Sequence, residues 1–281
     1  MAVAFGLLVA VSFGSADFLG GRASVRASTV AVVLIGQSIA VAGALIVASV
    51  VGARVARSDV GFGVLSGAAN VVGLSLLYRG LARARVGVVA PLTAVVGALV
   101  PVTFALVRGE RPSAIVLAGA GCAVVAGGLI ARERDAGDGE RRTAAGVGYA
   151  VGAGALLGTS LVCLSETSDA SGFWPVLAAR SAGLVLIGGA AAVLAARGSL
   201  PFPMAGARYA AYAAGVLDLL ATIMLLLAVR NGLLVVVAPV AALAPAFTVV
   251  WAWIVLRESV SPAQIAGLGL ALVGLVLVAT G

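Results

Sequence analysis

The sequence has no lysine and no histidine; its eighteen cations are all arginine. Without histidine there can be no Ser-His-Asp triad, no imidazole proton relay and no zinc site of the His-rich kind. Without lysine, Schiff-base chemistry and a Walker-type phosphate loop are excluded. Charge of either sign is scarce: 10% of the 281 residues are charged, and only 5% are aromatic. The two cysteines, Cys122 and Cys163, lie inside apolar runs far from any CxxC spacing and read as small hydrophobes. Apolar residues fill the space, at 62% of the chain, with 38 glycines besides. The mean hydropathy is +1.18. A soluble globule averages roughly 45–50% apolar and about 25% charged residues, and one this apolar could not cover its surface. The composition is that of an integral membrane protein. The net charge of +7 does not indicate nucleic acid, because the arginines fall singly and in pairs between apolar runs without interleaved aromatics.

A helix needs about 20 apolar residues to cross a hydrocarbon core of about 30 Å. Breaking the chain at charges and turn residues gives ten such segments: 2–20, 29–52, 61–81, 87–107, 114–131, 144–164, 174–196, 209–229, 233–255 and 262–280. The runs are uniformly apolar rather than alternating, which predicts α-helices and excludes a β-barrel. The connection after the fifth segment holds the charged stretch RERDAGDGERR. It divides the chain into a first unit (1–131), a linker (132–143) and a second unit (144–281). The first segment carries no basic residues ahead of it, so it is expected to be a membrane helix and not a cleaved leader.

The two units resemble each other. Residues 87–131 aligned on 235–279 at a constant offset of 148 share 17 of 45 positions, including Pro91/Pro239, Glu110/Glu258, Ser113/Ser261, Gly119/Gly267 and Gly121/Gly269. The same offset pairs Asn70 with Asp218. An offset of 144 pairs FGS (13–15) with LGT (157–159), and 143 pairs Gln37-Ser38 with Arg180-Ser181. This is the mark of a tandem duplication. An odd number of crossings per unit sends the second copy into the membrane from the opposite side. The expectation is therefore an all-α membrane protein of ten transmembrane helices in two inverted five-helix repeats, an architecture recurrent in secondary transporters.

With the doubled unit, the ends RGERPS (108–113) and LRESVS (256–261) before glycine-rich helices, and the small-residue stretch FGSADF (13–18), the chain resembles an EamA-type permease of the drug/metabolite transporter superfamily. The resemblance covers essentially the whole chain; the second half has RES where a Gly-Glu pair is typical. It implies alternating access through a central cavity lined by helices 1, 3, 4, 6, 8 and 9. It also implies a small metabolite or drug as substrate, no cofactor, and cytoplasmic termini in the cell membrane. It leaves the assembly as monomer or homodimer.

Ionisable side chains at membrane depth cost several kcal/mol and usually face a bundle interior. Asp17, Asp218 and Arg180 are such groups, with Asn70 and Gln37 as uncharged companions. The functional reading makes Asp218 and Asn70 symmetry-related residues of a cavity wall and Asp17 or Asp218 a proton or substrate carboxylate; the alternative is a structural pair in which Arg180 neutralises one of them. With no histidine, proton coupling would have to run through carboxylates. Trp251 or Trp253 is a candidate stacking surface, and Trp174 an interfacial anchor. Glu110 and Glu258, beside arginines at helix ends, are expected to fix those ends, and Glu166 and Asp169 to lie in a solvated loop. Pro91 and Pro239 are expected to open their helices, and Pro101 and Pro245 to bend or interrupt them.

Taken alone, the arginine distribution conflicts with cytoplasmic termini. Eleven arginines fall in the loops after segments 1, 3, 5, 7 and 9, and five in the loops on the other side; the positive-inside rule would put the termini outside. We follow the resemblance. Two other function classes stand beside the transporter: a non-transporting membrane assembly or sensory module, and an intramembrane lipid-modifying enzyme. The duplication argues against the first, and the lack of clustered Asp, His or Lys motifs against the second.

Overall fold

The computed structural model describes residues 2–24, 27–51, 53–83, 86–130, 140–198, 205–256 and 262–280. Among these the chain is helical with no strand: α1 (Ala2–Ser24), α2 (Thr29–Val50), α3 (Arg57–Arg83), α4 (Val86–Val107), α5 (Ala114–Ile130), α6 (Glu140–Ser165), α7 (Trp174–Ala196), α8 (Ala205–Asn231), α9 (Leu234–Ala241), α10 (Ala244–Trp251) and α11 (Pro262–Thr280). A 3-10 turn at Asp169–Ser171 precedes α7, and a π-turn at Ala252–Leu256 follows α10. Among the described residues, seven helical stretches are long and apolar enough to cross a membrane: six within single helices, and Leu234–Val255, which runs through α9, α10 and the π-turn. Shorter apolar helices lie at Leu92–Val107, Ala114–Ala126 and Ile265–Val278. Residues 140–143, counted with the linker on composition, form the start of α6.

Each helix turns one stripe inward. On α7 the buried residues Val176, Arg180, Gly183, Ile187 and Ala191 recur every three or four positions, as one face of a 3.6-residue period requires. The stripe of α2 is Gln37, Ala40, Ala44 and Ala48. The opposite faces carry large apolar residues open to the surroundings, such as Ile46, Val185 and Leu272, which is stable only against lipid.

Glycine permits the closest crossings, since association inside a bilayer depends on tight packing of small residues. A Cβ on Gly215 of α8 would meet the Gly36 Cα and carbonyl of α2 at 2.7 Å. A Cβ on Gly67 of α3 would overlap the Ala179 carbonyl of α7. α1 packs on α8, α3 on α6, α2 on α7, and α5 on α11.

The ninth apolar segment is broken at Ala242–Leu243. Pro245 has no N–H to offer the Ala241 carbonyl four residues back, so the helix stops there and restarts with the proline in the first turn of α10. Pro101, by contrast, does not interrupt α4, which runs unbroken through it. Pro91 and Pro239 do not open their helices: Pro239 lies inside α9, and α4 begins at Val86. For α9 the physical reason is an external cap. The turn ahead of Pro239 is held by the Glu110 carboxylate, whose oxygens accept from Leu234 N at 2.9 Å and Val235 N at 3.0 Å.

Candidate functional site

The inward stripes of α1, α7 and α8 bring three charges together. Arg180 is 6% exposed on α7, and its guanidinium makes an ion pair with the Asp218 carboxylate of α8. That pair is made by Nη1, while Nη2 donates to the Asp218 carbonyl at 2.9 Å and to the Thr222 hydroxyl. Thr222 in turn donates to the Asp218 carbonyl at 3.0 Å. Asp218 and Thr222 are one helical turn apart, so a single arginine can reach both. The structural pairing of Asp218 with Arg180 is therefore present. It does not complete the cluster, because the buried Nε of Arg180 has no hydrogen-bond partner among the described residues.

Asp17 stands on α1 within electrostatic reach of Asp218. It follows Gly6, Ala10 and Phe13 at helical spacing. Gly6 faces Val240 of α9, and Ala10 is buried against Leu243 and Ala246. The next turn brings Gly20 toward Ala214 of α8. Asp17 thus lies on the face of α1 that meets α8, α9 and α10, yet it is exposed. The outward face is marked by Leu8 and Val11, on the other side of the helix. An exposed carboxylate on an inward stripe borders an opening between helices.

Gln37, 8% exposed, approaches α7 beside Gly183, one turn from Arg180: a Cβ on Gly183 would lie 3.3 Å from Gln37 Oε1. That oxygen is buried without a partner. Asn70 is half-buried on α3, one turn from Gly67 and its crossing with α7. Trp251 ends α10, and its indole N–H donates to Ser15 Oγ at 2.7 Å while Thr248 donates to the Gly14 carbonyl at 3.0 Å. These bonds tie the broken ninth segment to α1 two residues before Asp17. Trp253 is 57% exposed in the π-turn, and Trp174 begins α7. Among the described residues, no three Cys, Asp or Glu side chains converge where a metal ion could be held.

The second polar group lies at one end of the bundle. Glu110 caps α9 as described; Glu258 lies outside the described residues. Glu166 and Asp169 are not merely solvated: Glu166 pairs with Arg108, and Asp169 Oδ1 lies 3.1 Å from Arg230 Nε. The partners come from the ends of α4 and α8, which the fold brings to the 166–173 turn. Reading along the chain missed Asp59 altogether. It is 4% exposed and accepts from the hydroxyls of Ser58, Ser168 and Ser171. The available signal was the hydroxyl-rich run ETSDAS (166–171), a set of donors without a local helix to cap.

Residues 144–280 match the EamA-like transporter family. One solved structure superposes on 99% of this chain and 96% of its own, with a TM-score of 0.78 and 16% sequence identity; at that identity the likeness establishes a shared fold. No curated protein matches the sequence. The chain is a multi-pass integral membrane protein whose residues 144–280 match the model of the EamA-like transporter family.

Proposed function

We propose that the protein is a secondary transporter of small metabolites or drugs, an exporter or permease of the cell membrane. It works by alternating access and crosses ten times as two inverted five-helix repeats. The observation that carries this reading is the charged cluster on the inward stripes of α1, α7 and α8: a buried arginine, the carboxylate it neutralises, and a second carboxylate open to an interior gap. Charges at this depth are expensive, and their usual role is in a substrate or ion pathway.

The packing supports the duplication. Exchanging the first unit for the second turns the α1–α8 contact into the α6–α3 contact and leaves α2–α7 and α5–α11 as self-paired contacts. The close approach of Gly36 to Gly215 has its counterpart in Ala179 and Gly67, at the offsets of 143 and 148 that the sequence repeat uses. The break at Ala242–Leu243 supplies the interrupted helix typical of transport sites.

Within the cluster the carboxylates have different tasks. Asp218 is held by Arg180 and orients substrate. Asp17, the second carboxylate of the cluster, is the group that takes up and releases a proton. Gln37 Oε1 and Arg180 Nε remain as an acceptor and a donor for substrate, with Asn70 and Trp251 at the margins. Proteoliposomes containing the purified chain test the reading. Loaded with a metabolite extract and diluted, they should release at least one small solute, identified by mass spectrometry. Vesicles with folded protein and no solute-selective release would overturn it.

A further inference from the structure

At the end of the bundle that carries residues 51–56, 108–113, 166–173 and the α8–α9 turn, polar links join the two halves of the chain. Arg54 N donates to the Ala170 carbonyl at 2.8 Å. Ala56 N donates to Ser171 Oγ at 3.4 Å. Asp59 collects the hydroxyls of Ser168 and Ser171, Arg108 pairs with Glu166, and Glu110 holds the first two N–H groups of α9. Arg230 fixes the 166–173 turn from α8 by donating to the Ser168 carbonyl at 2.7 Å. Ser171 is fully buried, and Gly172, at φ +52°, turns the chain against Ala53.

Directly beneath lies an apolar layer. Ala44, Leu164, Val176 and Leu226 form one cluster with Phe173 and Leu177, and Ala105, Leu234 and Val235 form another with Leu161 and Val162. The two layers close this end, while Asp17, toward the other end of α1, is exposed. A permanent structural tie needs no such division of labour. A closure that must reopen does: its polar layer consists of hydrogen bonds that water can replace once the halves part, so separating it costs less than parting an apolar core of the same size.

We propose that this two-layer closure is a gate, with Asp59 as its pin. Opening this end requires the Asp59 carboxylate to release Ser168 and Ser171 and Glu110 to release α9, parting the halves through the Ala44 and Ala105 layer. The proposal rests on the alternating-access reading, which requires that opening here be coupled to closing at the Asp17 end.

The test uses the full chain in lipid vesicles with the native thiols removed (Cys122→Ala, Cys163→Ala). A single reporter thiol is placed either in the seal (Ala105→Cys) or at the far opening (Asp17→Cys), and its labelling by a membrane-impermeant maleimide is timed. In the Asp59→Ala background, the seal reporter should label roughly tenfold faster and the far reporter several-fold slower, as expected for a shifted two-state equilibrium. Asp59→Asn, which retains an acceptor oxygen, should shift both less. Tryptophan fluorescence and a monodisperse elution profile confirm folding, and Glu110→Gln provides an independent break if Asp59→Ala fails to fold. Unchanged labelling of the seal reporter in a folded variant overturns the gate. Faster seal labelling with an unchanged far reporter also overturns it, because that is local fraying. A chain that switches reciprocally but moves no solute would instead refute the transporter reading and leave the gate standing.

Discussion

Arg180 and Asp59 are both buried and both charged, but their partners differ in kind. Asp59 has every oxygen occupied: Ser58 on Oδ1, Ser168 and Ser171 on Oδ2. Arg180 has Asp218 and Thr222, yet among the described residues its Nε and the nearby Gln37 Oε1 have no partner, and a second carboxylate, Asp17, stands within electrostatic reach of Asp218. A buried polar group left without a partner costs about 1–3 kcal/mol. The satisfied cluster at the bundle end holds parts together. In the proposed transporter, the unsatisfied cluster within the helices is where a bound solute would supply the missing partners.

Four substitutions test that contrast, beginning with the largest effect. Arg180→Ala strands the Asp218 carboxylate inside the bundle, and breaking a buried pair from one side costs about 3–5 kcal/mol. The yield of folded protein in detergent should collapse, and adding Asp218→Ala should restore much of it. If the single variant is as stable as the parent, the pair contributes nothing. Gly67→Ala follows, since its Cβ would overlap the Ala179 backbone of α7; the expected loss is about 1–3 kcal/mol, read as a lower melting temperature. Glu110→Ala removes two bonds from the first turn of α9 and should cost about 1–2 kcal/mol, seen as faster hydrogen exchange at Leu234 and Val235. Arg108→Ala breaks an exposed pair with Glu166 and should change the melting temperature little, within about 0–1 kcal/mol. A large loss there would mean that the end network is a structural keystone and not a gate.

The helical segments were legible in the sequence because a bilayer demands long apolar runs, and composition alone identifies that solvent. The sequence repeat was legible because rare residues such as Pro239 and Glu110 recur at one offset in an alphabet dominated by alanine, valine and glycine. The break in the ninth segment was only half legible. Pro101 and Pro245 carry the same local rule, but α4 continues through its proline while the second copy stops ahead of Pro245. Which proline ends a helix depends on what can hold the freed turn, and that is a tertiary matter. The charges at membrane depth were visible one by one. Their grouping was not, because Arg180 reaches Asp218 across 38 positions and Asp59 meets Ser171 across 112, and a single sequence has no distances. The partners of Asp59 looked like an ordinary polar loop for the same reason.

The most direct test of the account concerns the two carboxylates. Once a transported solute has been found in the metabolite screen, vesicles carrying Asp17→Asn are compared with the parent chain in two modes: exchange of solute across the membrane without a pH gradient, and accumulation driven by one. The account predicts that Asp17→Asn still exchanges solute but no longer accumulates it, because the proton-carrying group is gone while the Arg180–Asp218 pair remains. If Asp17→Asn accumulates solute against its gradient as well as the parent does, the assignment of proton coupling to Asp17 is contradicted.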